Sequence, residues 1–100
     1  MKLGVLDRLA LLGALPKEGD FTTLKIVRQL REDLSFTEDE HKKFNFRAEG
    51  EQLLWDNSEE KEINFGEKAT DLIVSTLKQL NENKKLTEDH FNVYKAFVGD

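Results

Sequence analysis

At residue 44 the apolar residues of this chain change their period. From Val5 to Leu34 they recur at spacings of three and four, from Phe44 to Phe65 they alternate with polar residues, and from Ala69 to Val98 the wider spacing returns. A side chain repeats its direction about every 3.6 residues on a helix and every two on a strand, so the changes predict helices, then strands, then helices. The chain's 100 residues fit one domain with a real core. The expected fold class is α+β: a single domain over 1–100 in which four to five helices pack on one face of a three-stranded antiparallel β-meander, in the order ααα-βββ-αα.

The first helix is expected over residues 5–15, with Val5, Leu6, Leu9, Ala10 and Leu12 inward and Pro16 as its stop. PKEGD reads as a loop. A second helix is expected from a Thr22 cap to Leu34, with Leu24, Ile26, Val27, Leu30 and Leu34 inward and Lys25, Arg28 and Arg31 on its other side. SFTEDEHKK forms a helix of one to two turns. Residues 67–81 carry the clearest stripe: Ala69, Leu72, Ile73, Thr76, Leu77 and Leu80. A last helix over 88–98 turns Phe91, Tyr94, Phe97 and Val98 to one side.

Between these helices, a turn at Glu49-Gly50 sets Ala48 opposite Glu51, Phe46 opposite Leu53 and Phe44 opposite Trp55. DNSEE is a second turn, and KEINF a third strand. The resulting sheet face is Phe44, Phe46, Leu53, Trp55, Ile63 and Phe65, with Leu54 pointing outward.

Composition limits the functions available. The chain has no Cys, which removes disulfides, thiolate metal sites and a Cys nucleophile and suits a reducing compartment. Asp7 and Arg8 interrupt the apolar N-terminal run, so an amphipathic helix is expected there instead of a signal peptide. No apolar run approaches the roughly 20 residues that cross a bilayer. The expectation is a soluble cytoplasmic protein without membrane contact. The net charge of −5 is uneven: residues 35–62 hold four Lys and Arg against nine Asp and Glu. A glycine-rich phosphate loop, a nucleophile elbow and an HExxH helix are absent from the sequence. A non-enzymatic chain is therefore expected, with no catalytic residue, cofactor, metal or evident small-molecule substrate.

The two histidines, His41 and His90, each follow a Thr-Glu-Asp triplet. Imidazole and carboxylate are metal-ligand types. Glu38 and His41 are three apart and can share a helix face, whereas Glu88 and His90 are two apart and cannot. Helix starts explain both copies better. Thr37 and Glu40 fit a capping box, in which each residue's side chain accepts from the other's backbone N–H. At Thr87 the matching position is His90, so the reciprocal bond is expected to be lost and a staple between Leu86 and Phe91 to replace it.

Two surfaces remain as candidates. Lys25, Arg28 and Arg31 on the 22–34 helix are candidate nucleic-acid contacts, since helices followed by a hairpin follow the order of a winged-helix regulator. Net charge opposes this reading, and Glu49, Glu51 and Asp56 stand where such a hairpin needs cations. Leu54, Glu49, Glu51 and Asp56 form the other candidate, a surface for a protein partner or for a homo-oligomer. Nine acids within residues 38–62 also fit a basic partner, as a nucleic-acid mimic would.

The stretches LPKEGDFTTLKIVRQLREDLSF and INFGEKATDLIVSTLKQLNENKKLTEDHFNVYKAF resemble small uncharacterised proteins of tailed bacteriophages and prophages. The resemblance implies an accessory protein in a bacterial cytoplasm, active in regulation, assembly or interference with a host factor. It carries no assigned site residue.

Overall fold

In the computed structural model, which describes residues 1–56 and 59–99, the chain forms five α-helices and four short strands among those residues. A strand β1 (Lys2–Leu3) leads into helix α1 (Val5–Ala14), which stops before Pro16 because the residue preceding a proline is pushed out of helical geometry; Leu15 takes ψ 137°. The PKEGD loop follows. Helix α2 (Phe21–Leu34) is capped by Asp20, not by Thr22: the Asp20 carboxylate accepts the Thr23 N–H at 2.7 Å. An aspartate one residue ahead of the first helical turn offers the stronger acceptor there, and the same bond lowers the pKa of Asp20.

Helix α3 (Glu38–Phe44) is the expected short helix, closed by Asn45 in the left-handed region at φ 50°. After the strands, α4 (Glu67–Glu82) buries Ile73 and Leu77 and half-buries Ala69, Leu72 and Leu80, as its stripe predicts. The last helix opens with a 3₁₀ turn, Glu88–His90, before α5 (Phe91–Phe97).

The α+β class holds, but the strands do not form one three-stranded meander. They form two separate antiparallel pairs. Strand β4 (Lys61–Glu62) pairs with β1, Lys2 opposite Glu62 and Leu3 opposite Lys61. That pairing carries Leu3 and Ile63 into the main core, 2% and 5% exposed, which an extension of the hairpin into solvent would not achieve. Asn57 and Ser58 of the expected DNSEE turn lie outside the described residues.

Strands β2 (Arg47–Glu49) and β3 (Gln52–Leu54) form the hairpin, with Arg47 opposite Leu54, Ala48 opposite Leu53 and Glu49 opposite Gln52. The turn is Gly50-Glu51 and not Glu49-Gly50. A two-residue hairpin turn with one positive φ places it at the first central position. Gly50 supplies it at φ 65°, whereas the expected turn would have asked Glu49 for a left-handed backbone. The partner of Phe46 becomes Trp55, their rings 6.3 Å apart.

The expected single sheet face is consequently divided. Ile63 and Phe65 join the main core formed by α1, α2, α4 and α5, around Leu11, Leu30, Leu34, Leu77 and Val93. Phe44, Phe46 and Trp55 instead form an aromatic cluster with Phe36 and His41 at the hairpin base. Leu53 reaches neither and is 42% exposed, while Leu54, expected outward, is half-buried.

Candidate functional site

Arg8 is fully buried, although the N-terminal stripe assigns its side to Leu6 and Leu9; Leu6 is 39% exposed. The inward row of α1 runs through Val5, Arg8 and Leu11 to Leu15. Arg8 faces the corner between α2 and α3, where the final carbonyls of α2 lack helical partners. Its guanidinium satisfies them, donating from Nε to the Leu34 carbonyl at 3.1 Å and from Nη2 to the Ser35 carbonyl at 2.6 Å.

Two further bonds, at 2.6 and 3.1 Å, go to both carboxylate oxygens of Glu40, and the Phe36 ring lies 4.0 Å beneath the guanidinium carbon. A planar donor fork suits such a demand as an ammonium could not. Glu40 also closes the expected capping box: its carboxylate accepts the Thr37 N–H at 3.0 Å, and Thr37 Oγ1 accepts the Glu40 N–H at 3.1 Å. The Arg8 hydrogen bonds, followed by the Thr37 bond, hold the Glu40 carboxyl well down, at about 2, against partial burial that opposes them. Among the described residues no buried side-chain nitrogen or oxygen lacks a hydrogen-bond partner, and the groups of this corner are spent on holding α1, α2 and α3 together.

The histidines fall into comparable roles. His41 lies edge-on to Phe36 and Phe46, at 6.2 and 5.4 Å between ring centres. At the second triplet both expectations are reversed: the Thr87 side chain makes no cap, whereas His90 Nδ1 accepts the Thr87 N–H at 3.0 Å. A neutral imidazole nitrogen is an acceptor, so His can stand where a capping box has Glu. The expected staple is absent in effect: Phe91 is 64% exposed and lies under the Lys95 ammonium at 5.7 Å, while Leu86 packs on the core without it. Among the described residues, no group of three or more acids and histidines is placed to hold a metal ion.

The outer side of α2 provides the open surface. Phe21, Leu24, Lys25, Arg28, Arg31 and Ser35 follow one another at helical spacing, away from the buried row of Val27, Leu30 and Leu34. They line a groove of about 1140 Å³ that Pro16 and Lys17 complete at one end. Leu24, expected inward, is 40% exposed and Phe21 77% exposed. Val27, Leu30 and Leu34 already fill the helix's contact with the core, so Leu24 lies beyond its edge.

The groove's lining has four cations, Lys17, Lys25, Arg28 and Arg31, against one acid, Glu32. Among the described residues Lys17, Arg28 and Arg31 have no ion-pair partner. The three cations singled out from the sequence are thus brought together on one face. Phe21 and Leu24 escaped sequence reasoning: Phe21 precedes the expected Thr22 cap and so fell outside the helix, and Leu24, apolar at helical spacing, reads as core until the width of the contact is known.

The hairpin candidates separate. Glu49 and Glu51 are exposed at the ribbon tip without an ion-pair partner among the described residues. Asp56 is engaged instead: Asn45 Nδ2 and Arg47 Nη1 donate to it at 3.3 and 3.1 Å, and these bonds lower its pKa. Leu54 is half-buried opposite Arg47, and Leu53 is the apolar side chain that the ribbon exposes. Among the described residues no helix is long and apolar enough to cross a membrane. No family model, curated protein or solved structure matches the chain.

Proposed function

We propose that the chain is a non-enzymatic contact module whose working surface is the α2 groove, and that its partner is a protein segment bearing acids beside one or two apolar side chains. The observation that carries this reading is Phe21, 77% exposed next to Leu24 in a groove whose cations outnumber its acids four to one. A singly exposed apolar residue needs no function. Two on one helical turn, with Lys25 over the Phe21 ring at 5.6 Å and Arg28 and Arg31 without ion-pair partners among the described residues, lose solvent exposure and gain charge neutralisation together against a complementary partner.

A winged-helix-like DNA contact through α2 is the second reading, favoured by the gathering of Lys25, Arg28 and Arg31 in one groove. Phosphate recognition has no use for Phe21 between these cations, and Glu49 and Glu51 would repel the duplex from the ribbon. The resemblance to small phage and prophage proteins supports a setting in a bacterial cytoplasm and a role in assembly, regulation or interference with a host factor.

Chemical-shift mapping distinguishes the two. An amphipathic peptide of Glu and Leu is expected to shift the amides of Phe21, Leu24 and Arg28 at about 0.15 M salt, and Arg28→Glu with Arg31→Glu to abolish the response. Shifts with a DNA duplex, and none with the peptide, would replace the contact-module reading by the second one.

A further inference from the structure

The groove and the hairpin have opposite character. The groove is concave, cationic and apolar at one end, while among the described residues the β2–β3 ribbon pairs with no other strand and presents Glu49 and Glu51 at its tip, both exposed. On the ribbon face away from Glu49, Ala48 stands opposite Leu53, the latter 42% exposed. We propose that the α2 groove receives the tip of the β2–β3 ribbon of a second copy of this chain, entering end-on so that Glu49 and Glu51 on one side meet Arg28 and Arg31 and Leu53 on the other side meets Leu24 and Phe21. The assignment rests on the α2 groove being the contact surface and names its occupant.

Three observations converge on a second copy. The ribbon's two tip carboxylates and the groove's Arg28 and Arg31 lack ion-pair partners among the described residues, and each set supplies what the other needs. Leu53, Leu24 and Phe21 are three of the large apolar side chains left exposed, and this contact covers all three. There is also room: two paired strands lie about 5 Å apart, and a groove of about 1140 Å³ can admit the tip of such a ribbon.

The contact joins unlike surfaces, so it either closes reciprocally between two copies or propagates from copy to copy. A ribbon tip buries little area, which places the self-association among weak, reversible interfaces with salt-dependent affinity.

Sedimentation velocity of the full chain across a concentration series tests this, using three proteins: wild type, a groove variant (Arg28→Glu with Arg31→Glu) and a ribbon variant (Glu49→Lys with Glu51→Lys). All four charged residues changed, Arg28, Arg31, Glu49 and Glu51, are at exposed positions, and circular dichroism checks that each variant folds. The wild type is expected to associate as concentration rises and to separate in about 0.5 M salt. Each variant by itself is expected to lose about tenfold or more in affinity, because like charges then oppose each other.

An equal mixture of the two variants should recover association, since the acidic groove of one now meets the basic ribbon of the other. A wild type that stays monomeric while the Glu and Leu peptide still shifts α2 would overturn the self-pairing and leave the groove's proposed function standing. Association that survives both reversals, or a mixture that recovers nothing, would equally overturn it. Loss of the peptide response as well would remove the groove itself.

Discussion

Thr37 and Thr87 open two helices with the same Thr-Glu-Asp triplet, yet the residue three positions after each threonine gives the two openings different weight. Glu40 returns the Thr37 cap and at the same time binds buried Arg8 through both carboxylate oxygens. His90 Nδ1 accepts the Thr87 N–H while the Thr87 hydroxyl makes no side-chain cap, and among the described residues nothing charged and buried depends on it. One start is therefore joined to a long-range network that ties α1 to α2 and α3, and the other remains a local event. A shared triplet starts a helical turn each time, α after Thr37 and 3₁₀ after Thr87; its energetic weight comes from what the rest of the fold brings to it.

The largest break in this comparison should come from Arg8→Met, which keeps the apolar stem but removes the guanidinium. The Leu34 and Ser35 carbonyls lose donors and Glu40 its charge partner, so a loss of about 3–5 kcal/mol is expected in urea unfolding. A cost below about 1 kcal/mol would mean that the corner is held by packing. Glu40→Gln retains the size and an acceptor for Thr37 but leaves Arg8 unpaired, and about 2 kcal/mol is expected at neutral pH.

Acid should act through the same residue. The folded-state carboxyl of Glu40, at about 2, lies below its ordinary value of 4.5, so the unfolded chain takes up the proton first as pH falls. The stabilisation is complete above the ordinary value and drains away as pH drops toward 2. Thermal unfolding followed from pH 6 to pH 2 should show this slope in the wild type and a flatter one in Glu40→Gln. Equal slopes would detach Glu40 from the acid response.

The smallest effects sharpen the contrast between the starts. Thr37→Ala is expected to cost about 1 kcal/mol, the usual value of a lost cap, and His90→Ala less, about 0.5 kcal/mol, since the bond it removes is exposed. Differential denaturation of the two variants in one buffer checks the order. If His90→Ala proved as costly as Glu40→Gln, the second start would hold a network of its own and the distinction would fail.

Features encoded within one or two turns of chain were legible in the sequence. Pro16 ends α1, Thr37 and Glu40 form their box, the stripe from Ala69 to Leu80 folds as α4, and the change of period at residue 44 marks the passage from helix to hairpin. Each follows from steric or hydrogen-bonding demands among residues close in sequence. The gathering of Lys25, Arg28 and Arg31 on one face of α2 was equally readable, being a matter of helical spacing.

Tertiary structure decided the rest. Alternation in KEINF predicts a strand but not that its partner is Lys2–Leu3, some sixty residues away; that choice depends on which pairing buries Ile63. Helical spacing placed Leu6 and Leu24 inward, but a helix buries only as much of its surface as its neighbours cover, and both are left about 40% exposed. Arg8 sits inside because the α2–α3 corner presents two free carbonyls and a carboxylate at the place its side chain reaches. Local rules fix which backbone geometries form, whereas burial and pairing are competitions among distant segments, and only the assembled fold decides them.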